Sequence, residues 1–99
     1  MTTNWTEKAQ VVLSHFFKRL ADDVRILPIH LGLIMALLYY HNGEEFIDDF
    51  HASRRKLMNF SGIRSVNTYH KYLSELVKYG YIAYIPSWHP KKASRFRFI

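Results

Sequence analysis

The sequence predicts a mainly α-helical chain that closes on a C-terminal β-hairpin, in the order α-α-(β)-α-α-β-β, and three observations carry that expectation. Apolar residues recur at intervals of three and four as far as Tyr79, the period changes to two after Gly80, and serine, proline and glycine stand where helices start and stop. With 99 residues, nearly half of them hydrophobic, the chain suits one domain with a core of its own over 1–99.

The first helix is expected from Thr6 to about Ala21. Ala9, Val12, Leu13, Phe16, Phe17 and Leu20 form its apolar stripe, Thr6 its N-cap, and Trp5 a staple on the first turn. Asp22 and Asp23 mark its exit, at the end of the helix dipole where acids are unfavourable. Pro28 fits the first turn of a second helix running to about His41, with Asn42-Gly43 offering a positive φ to stop it. Ile29, Leu33, Ile34, Leu37, Leu38 and Tyr40 leave it almost no polar face, so it should be wrapped by the other elements.

Residues 44–49 read as a hydrated acidic connector, and Phe50-His51-Ala52 as a short extended segment. Ser53 then caps a brief third helix, Arg54 to about Phe60, with Leu57, Met58 and Phe60 inward. Ser61-Gly62-Ile63 makes a tight turn, Ser65 opens a fourth helix, and Gly80 follows its end at Tyr79. Tyr69, Leu73 and Leu76, with Val66 and Val77, form its inward stripe. Tyr81–Ile85 and Arg95–Ile99 alternate as strands about a loop from Ser87 to Ser94, where Pro90 costs no ladder bond.

Charge divides the chain. Residues 1–49 hold four basic and seven acidic side chains, a balance of −3, whereas residues 50–99 hold ten basic and one acidic, Glu75, a balance of +9. The basic excess falls on a short helix, a turn and a longer helix, the spacing of a helix-turn-helix unit, followed by a hairpin that acts as a wing. The fold expected is therefore a winged helix-turn-helix, and the partner double-stranded DNA.

Each candidate contact has a chemical reason. Arg64, Asn67, Thr68, His70 and Lys71 lie near the start of the fourth helix or on its outward side; Arg and Lys can bond guanine O6 and N7, and Asn can pair bidentately with adenine. Ser65 and the amides beside it suit a phosphate oxygen at a helix start. Arg54, Arg55 and Lys56 suit backbone anchoring from the preceding helix, and Lys91, Lys92 and Arg95 suit phosphates or the minor groove from the wing.

Other classes find little support. The sequence has no cysteine, no glycine-rich phosphate loop and no serine elbow beside a histidine, so no catalytic residue and no cofactor is expected. His41 and His51 flank an acidic cluster, but neither HxxxH nor HExxH spacing occurs, and no metal is expected. The longest apolar stretch, Leu31–Tyr40, is too short for a bilayer, so no membrane association is expected. Without cysteines or a secretory start, the cytoplasm is the expected compartment.

The run SRRKLMNFSGIRSVNTYHKYLSELVKYGYIAYIPSWHPKKAS, from Ser53 to Ser94, resembles winged-helix regulators carried by conjugative transposons and related mobile elements of gut anaerobes. The matching pieces are the SR-x-x-LM opening, the NTYHKY-x-x-EL helix, the GYI-x-Y-x-PS strand and turn, and a preceding helix ending in LLYY. The resemblance spans Leu27 to Arg97 and implies a winged helix serving transcription regulation, excision or transfer of a mobile element. Trp5, Phe16 and Phe17 exceed what a small core needs, so a homodimer through the first helix (6–21) is expected, reading an inverted repeat with half-sites about one DNA turn apart. The alternative is an interaction module that docks a recombinase or larger regulator through that helix.

Overall fold

A computed structural model describes residues 7–87 and 93–99. The Thr6 cap, the Trp5 staple, and Lys91, Lys92 and Pro90 of the loop lie outside the described residues. The elements follow in the order α1 (Glu7–Asp22), α2 (Pro28–Tyr39), β1 (Phe50–Ala52), α3 (Arg54–Ser61), α4 (Val66–Lys78), β2 (Ile82–Ile85) and β3 (Ser94–Phe98).

Local chemistry accounts for most boundaries. Ser53 Oγ accepts from the Lys56 amide at 3.2 Å and Ser65 Oγ from the Thr68 amide at 3.3 Å, each relieving an orphan donor at a helix start. Pro28 occupies the first turn of α2. Gly62 ends α3 at φ 76° and Gly80 follows α4 at φ 84°, conformations a side chain would strain. Gly43 behaves otherwise. Its φ is not positive and α2 stops at Tyr39, short of His41. Glycine is needed there because a Cβ would sit 2.8 Å from both the Asp48 Cβ and the His41 ring.

The hairpin belongs to a three-stranded antiparallel sheet of order β1-β3-β2, with Phe50 opposite Phe96 and Ile82 opposite Phe98. The outer edge of β1 is covered at its middle by Asn42, whose amide group both donates to and accepts from the His51 backbone, at 3.4 and 3.3 Å. Phe50, Phe96, Phe98 and Ile82 face the helices, whereas His51, Arg95, Arg97 and Ile85 face outward.

The core draws on every element. Phe16 is fully buried, with its ring edge-on to Phe46, Tyr81 and Phe98 at centroid distances of 5.4, 5.7 and 5.3 Å. That corrects the sequence-based reading of Phe16 as surplus apolar surface; Phe17 alone of the pair remains exposed. The acidic connector is likewise more than hydrated loop, since Phe46 plugs the core and stacks on Phe98 at 4.9 Å.

α2 is not wrapped on all sides. Leu33, Ile34, Ala36, Leu37 and Leu38 are buried, but Leu31, Met35 and Tyr39 stand half-exposed along one row. Phe60 also points outward and stacks on Tyr39 at 5.0 Å, because the inward side of α3 is filled by Leu57. On α4, Tyr69, Leu73 and Leu76 are buried, whereas Val66 and Val77 are partly exposed. Those two valines sit one row off the buried stripe of the helix.

A buried histidine ties α2 to α4. His30 Nδ1 accepts from the Leu27 amide at 2.8 Å and Nε2 meets Glu75 Oε1 at 2.7 Å, with the Tyr72 and Tyr79 rings edge-on to the imidazole. Because Nδ1 is an acceptor here, the ring proton resides on Nε2 and is donated to the carboxylate.

Candidate nucleic-acid interface

α3 and α4 meet at a four-residue connection, 62–65, and the space between them opens as a hollow of about 610 Å³. Arg54, Arg55, Met58, Asn59, Gly62, Ile63, Arg64 and Val66 line it. Three arginines thus line one hollow, with no acidic side chain among the lining residues. The i, i+4 spacing of α3 aligns Arg54 with Met58 and Arg55 with Asn59, and the Gly62 turn brings Arg64 back toward them. None of the three forms an ion pair among the described residues.

The solvent face of α4 continues this surface. At 3.6 residues per turn, Asn67, Lys71, Ser74 and Lys78 fall within about 60° of arc, opposite the buried Tyr69, Leu73 and Leu76. All four are exposed. Thr68 is half-buried, with its amide spent on the Ser65 cap, and the Lys71 ammonium lies 5.2 Å from the Tyr72 ring centroid. Burial pushes the Tyr69 phenol well above its ordinary range, so it stays neutral beneath this face. Glu75, the lone acid of the basic half, is partly buried and held by His30.

Other expected contacts are placed elsewhere. Lys56 turns toward α2, with its ammonium 5.8 Å from the Tyr40 ring centroid, and does not line the hollow. His70 is exposed but lines a separate groove with Leu73, Ser74, Val77 and Tyr84, against β2. Arg95 lies on the outer face of the sheet, where Asp49 pairs with it at 3.5 Å and with Arg97 at 3.8 Å. Arg54, Arg55, Arg64, Ser65, Asn67 and Lys71 are therefore the expected residues that the fold gathers.

The sequence reading placed Asp49 in the hydrated connector and passed over His30. Asp49 sits one residue before β1, and only the pairing of β1 with β3 brings it to the arginines. His30 carried a visible signal, since α2 contains no Asp, Glu, Lys or Arg and no other histidine. Both ring nitrogens of His41 are engaged within the fold. Its Nδ1 accepts from the Gly43 amide, Nε2 meets the Phe46 carbonyl, and burial lowers its pKa. No group of three or more His, Cys, Asp or Glu side chains placed to hold a metal ion occurs among the described residues, and none of their helices is long and apolar enough to cross a membrane.

Comparison with family models, curated proteins and solved structures returns no match for this chain.

Proposed function

We propose that this chain is a winged helix-turn-helix protein that binds duplex DNA, with α4 in the major groove and the β2–β3 hairpin as the wing. The observation that carries the reading is that Arg54, Arg55 and Arg64 line one acid-free hollow beside the start of α4. A hollow of this kind suits the sugar-phosphate ridge bordering the groove, since guanidinium forks match phosphate oxygens and release condensed counterions. The row Asn67, Lys71, Ser74 and Lys78 then meets base edges, with Asn67 able to pair with adenine and Lys71 with guanine.

The element order supports the same reading, because a strand before α3 and a hairpin after α4 flank the two helices as a wing requires. The resemblance noted in the sequence adds the setting, a regulator or accessory factor of a mobile element. The protein performs no chemistry in this reading and works by occupying its site.

The test is fluorescence anisotropy with a random-sequence duplex across a salt series. Binding is expected in low salt, and each of Arg55→Ala and Arg64→Ala should lower the log–log salt slope by about 0.9. Asn67→Ala should leave that slope unchanged but relax preference at one base pair, by about 1–3 kcal/mol in duplexes selected from a random pool. Absence of low-salt binding, or equal binding by an Arg54, Arg55 and Arg64 triple alanine variant, would overturn the assignment.

A further inference from the structure

A second hollow, of about 190 Å³, opens between α4 and β2, lined by Leu73 and Val77 together with the polar side chains of His70, Ser74 and Tyr84. We propose that this groove seats the sugar-phosphate backbone of the same strand that the arginine hollow grips, so that one flank of α4 is a continuous backbone track. The inference rests on the DNA-binding reading and adds a class of contact that neither the arginines nor Asn67 supply.

Helix geometry puts the two hollows on the same flank. At about 100° per residue, Val66, His70, Leu73 and Val77 fall within about 60° of arc on α4. Val66 lines the arginine hollow and the other three line the groove, and the run from Val66 to Val77 is about 16 Å long. Tyr69 joins them from beneath: its phenol is within electrostatic reach of both Arg54 and Tyr84, and its ring meets the His70 ring edge-on at 5.3 Å. Glu75, the one acid of α4, lies about 180° round the helix from Val66 and is held by His30.

Charge and composition name the occupant. No acidic side chain lines the groove, and the hollow it continues carries three arginines, so a polyanion entering the hollow is led along this flank. A backbone strand offers phosphate oxygens, which accept from the Ser74 and Tyr84 hydroxyls and from a His70 ring nitrogen, and deoxyribose carbons, which cover Leu73 and Val77. The side chains of His70, Ser74 and Tyr84 form no hydrogen bond with another described residue; His70 and Tyr84 make only ring contacts. Sugar contact also accounts for Val66 and Val77 standing 41% and 38% exposed beside the buried stripe. The row Asn67, Lys71 and Lys78 is the next one round the helix, as the floor of a DNA groove lies beside its rim.

Fluorescence anisotropy of the whole chain, with duplexes carrying single neutral methylphosphonates, tests this. Tyr84→Phe keeps the ring on Phe96 and removes only the hydroxyl. It should weaken duplex binding about fivefold, equally for every sequence and with the salt slope unchanged, because a neutral hydroxyl releases no condensed counterion. His70→Ala should weaken binding to a similar extent. In a duplex selected from a random pool, a methylphosphonate at the phosphate seated in the groove should remove the difference between the native chain and Tyr84→Phe, which a merely structural role of the hydroxyl would not do. Native-like binding by both variants, while Arg55→Ala still lowers the slope, would overturn this inference and leave the DNA reading standing; absence of low-salt binding by the native chain would remove both. A loss confined to particular sequences, or one that no methylphosphonate position removes, would also overturn it.

Discussion

Replacing His30 by alanine should be the most damaging single change among the polar residues, and its magnitude follows from three losses. The imidazole is fully buried, so its removal opens a hole between Tyr72 and Tyr79. It also strips the Leu27 amide of its acceptor and Glu75 of a 2.7 Å donor. A hydrogen bond to a charged group contributes about 1.5–3 kcal/mol, an orphaned part-buried amide costs about 1 kcal/mol, and incomplete collapse of the cavity adds to both. Because Glu75 is partly solvated and recovers water on loss of its donor, the expected total is about 3 kcal/mol. For a chain of this size that corresponds to roughly 12–20 °C in melting temperature. Glu75→Gln retains an acceptor for the Nε2 proton and loses only its charge, so it should cost about 1 kcal/mol. Thermal unfolding followed by circular dichroism, on both single variants and the double variant, reads these values. The double variant should fall short of additivity by about 1 kcal/mol, the signature of a shared contact. The reasoning would be falsified if the costs simply added, or if His30→Ala melted within about 3 °C of the native chain.

Two further outcomes follow from ion pairs elsewhere. Arg25 and the Tyr81 hydroxyl bond the Asp23 carboxylate, at 2.8 and 2.7 Å, and hold its pKa well below the usual carboxylate range, while burial and the bond to Asp23 push the Tyr81 phenol up to about 12. Asp23 therefore stabilises the fold above its unfolded pKa of about 3.9 and loses that contribution as pH falls below it; Tyr81 contributes fully below about pH 10 and loses its share as pH rises towards 12. Acid and alkaline titrations of melting temperature should show Asp23→Asn flattened below about pH 4, and an unchanged acid limb would refute the role given to Asp23. Asp49→Asn frees Arg95 and Arg97 from their shared carboxylate, so the anisotropy salt series should show tighter DNA binding and a slope steeper by about one unit. Identical slopes for the two proteins would mean that the sheet's outer face does not reach the duplex.

Much of the fold was legible because its signals are local. Ser53 and Ser65 cap helices through atoms three residues away, and Gly62 and Gly80 answer to their own φ. The arginine hollow was half legible: Arg54, Arg55 and Arg64 were recognisable as cations flanking one turn, but their separation from Lys56 depends on which side of α3 meets α2. Gly43 misled, since an asparagine–glycine pair after a helix normally signals a left-handed residue, whereas here the glycine yields space to His41 and Asp48.

The amino-acid sequence by itself determined which helices and strands form, most of their starts, and which half of the chain carries positive charge, because capping, glycine conformation and period depend on near neighbours. Tertiary structure alone decided that Phe16 is core while Phe60 is surface, that Glu75 serves His30 45 residues away, and that Asp49 occupies two arginines of β3. Hydrophobic burial is non-directional and ion pairing is indifferent to sequence separation, so both are assigned only when the packed elements fix which surfaces lose water.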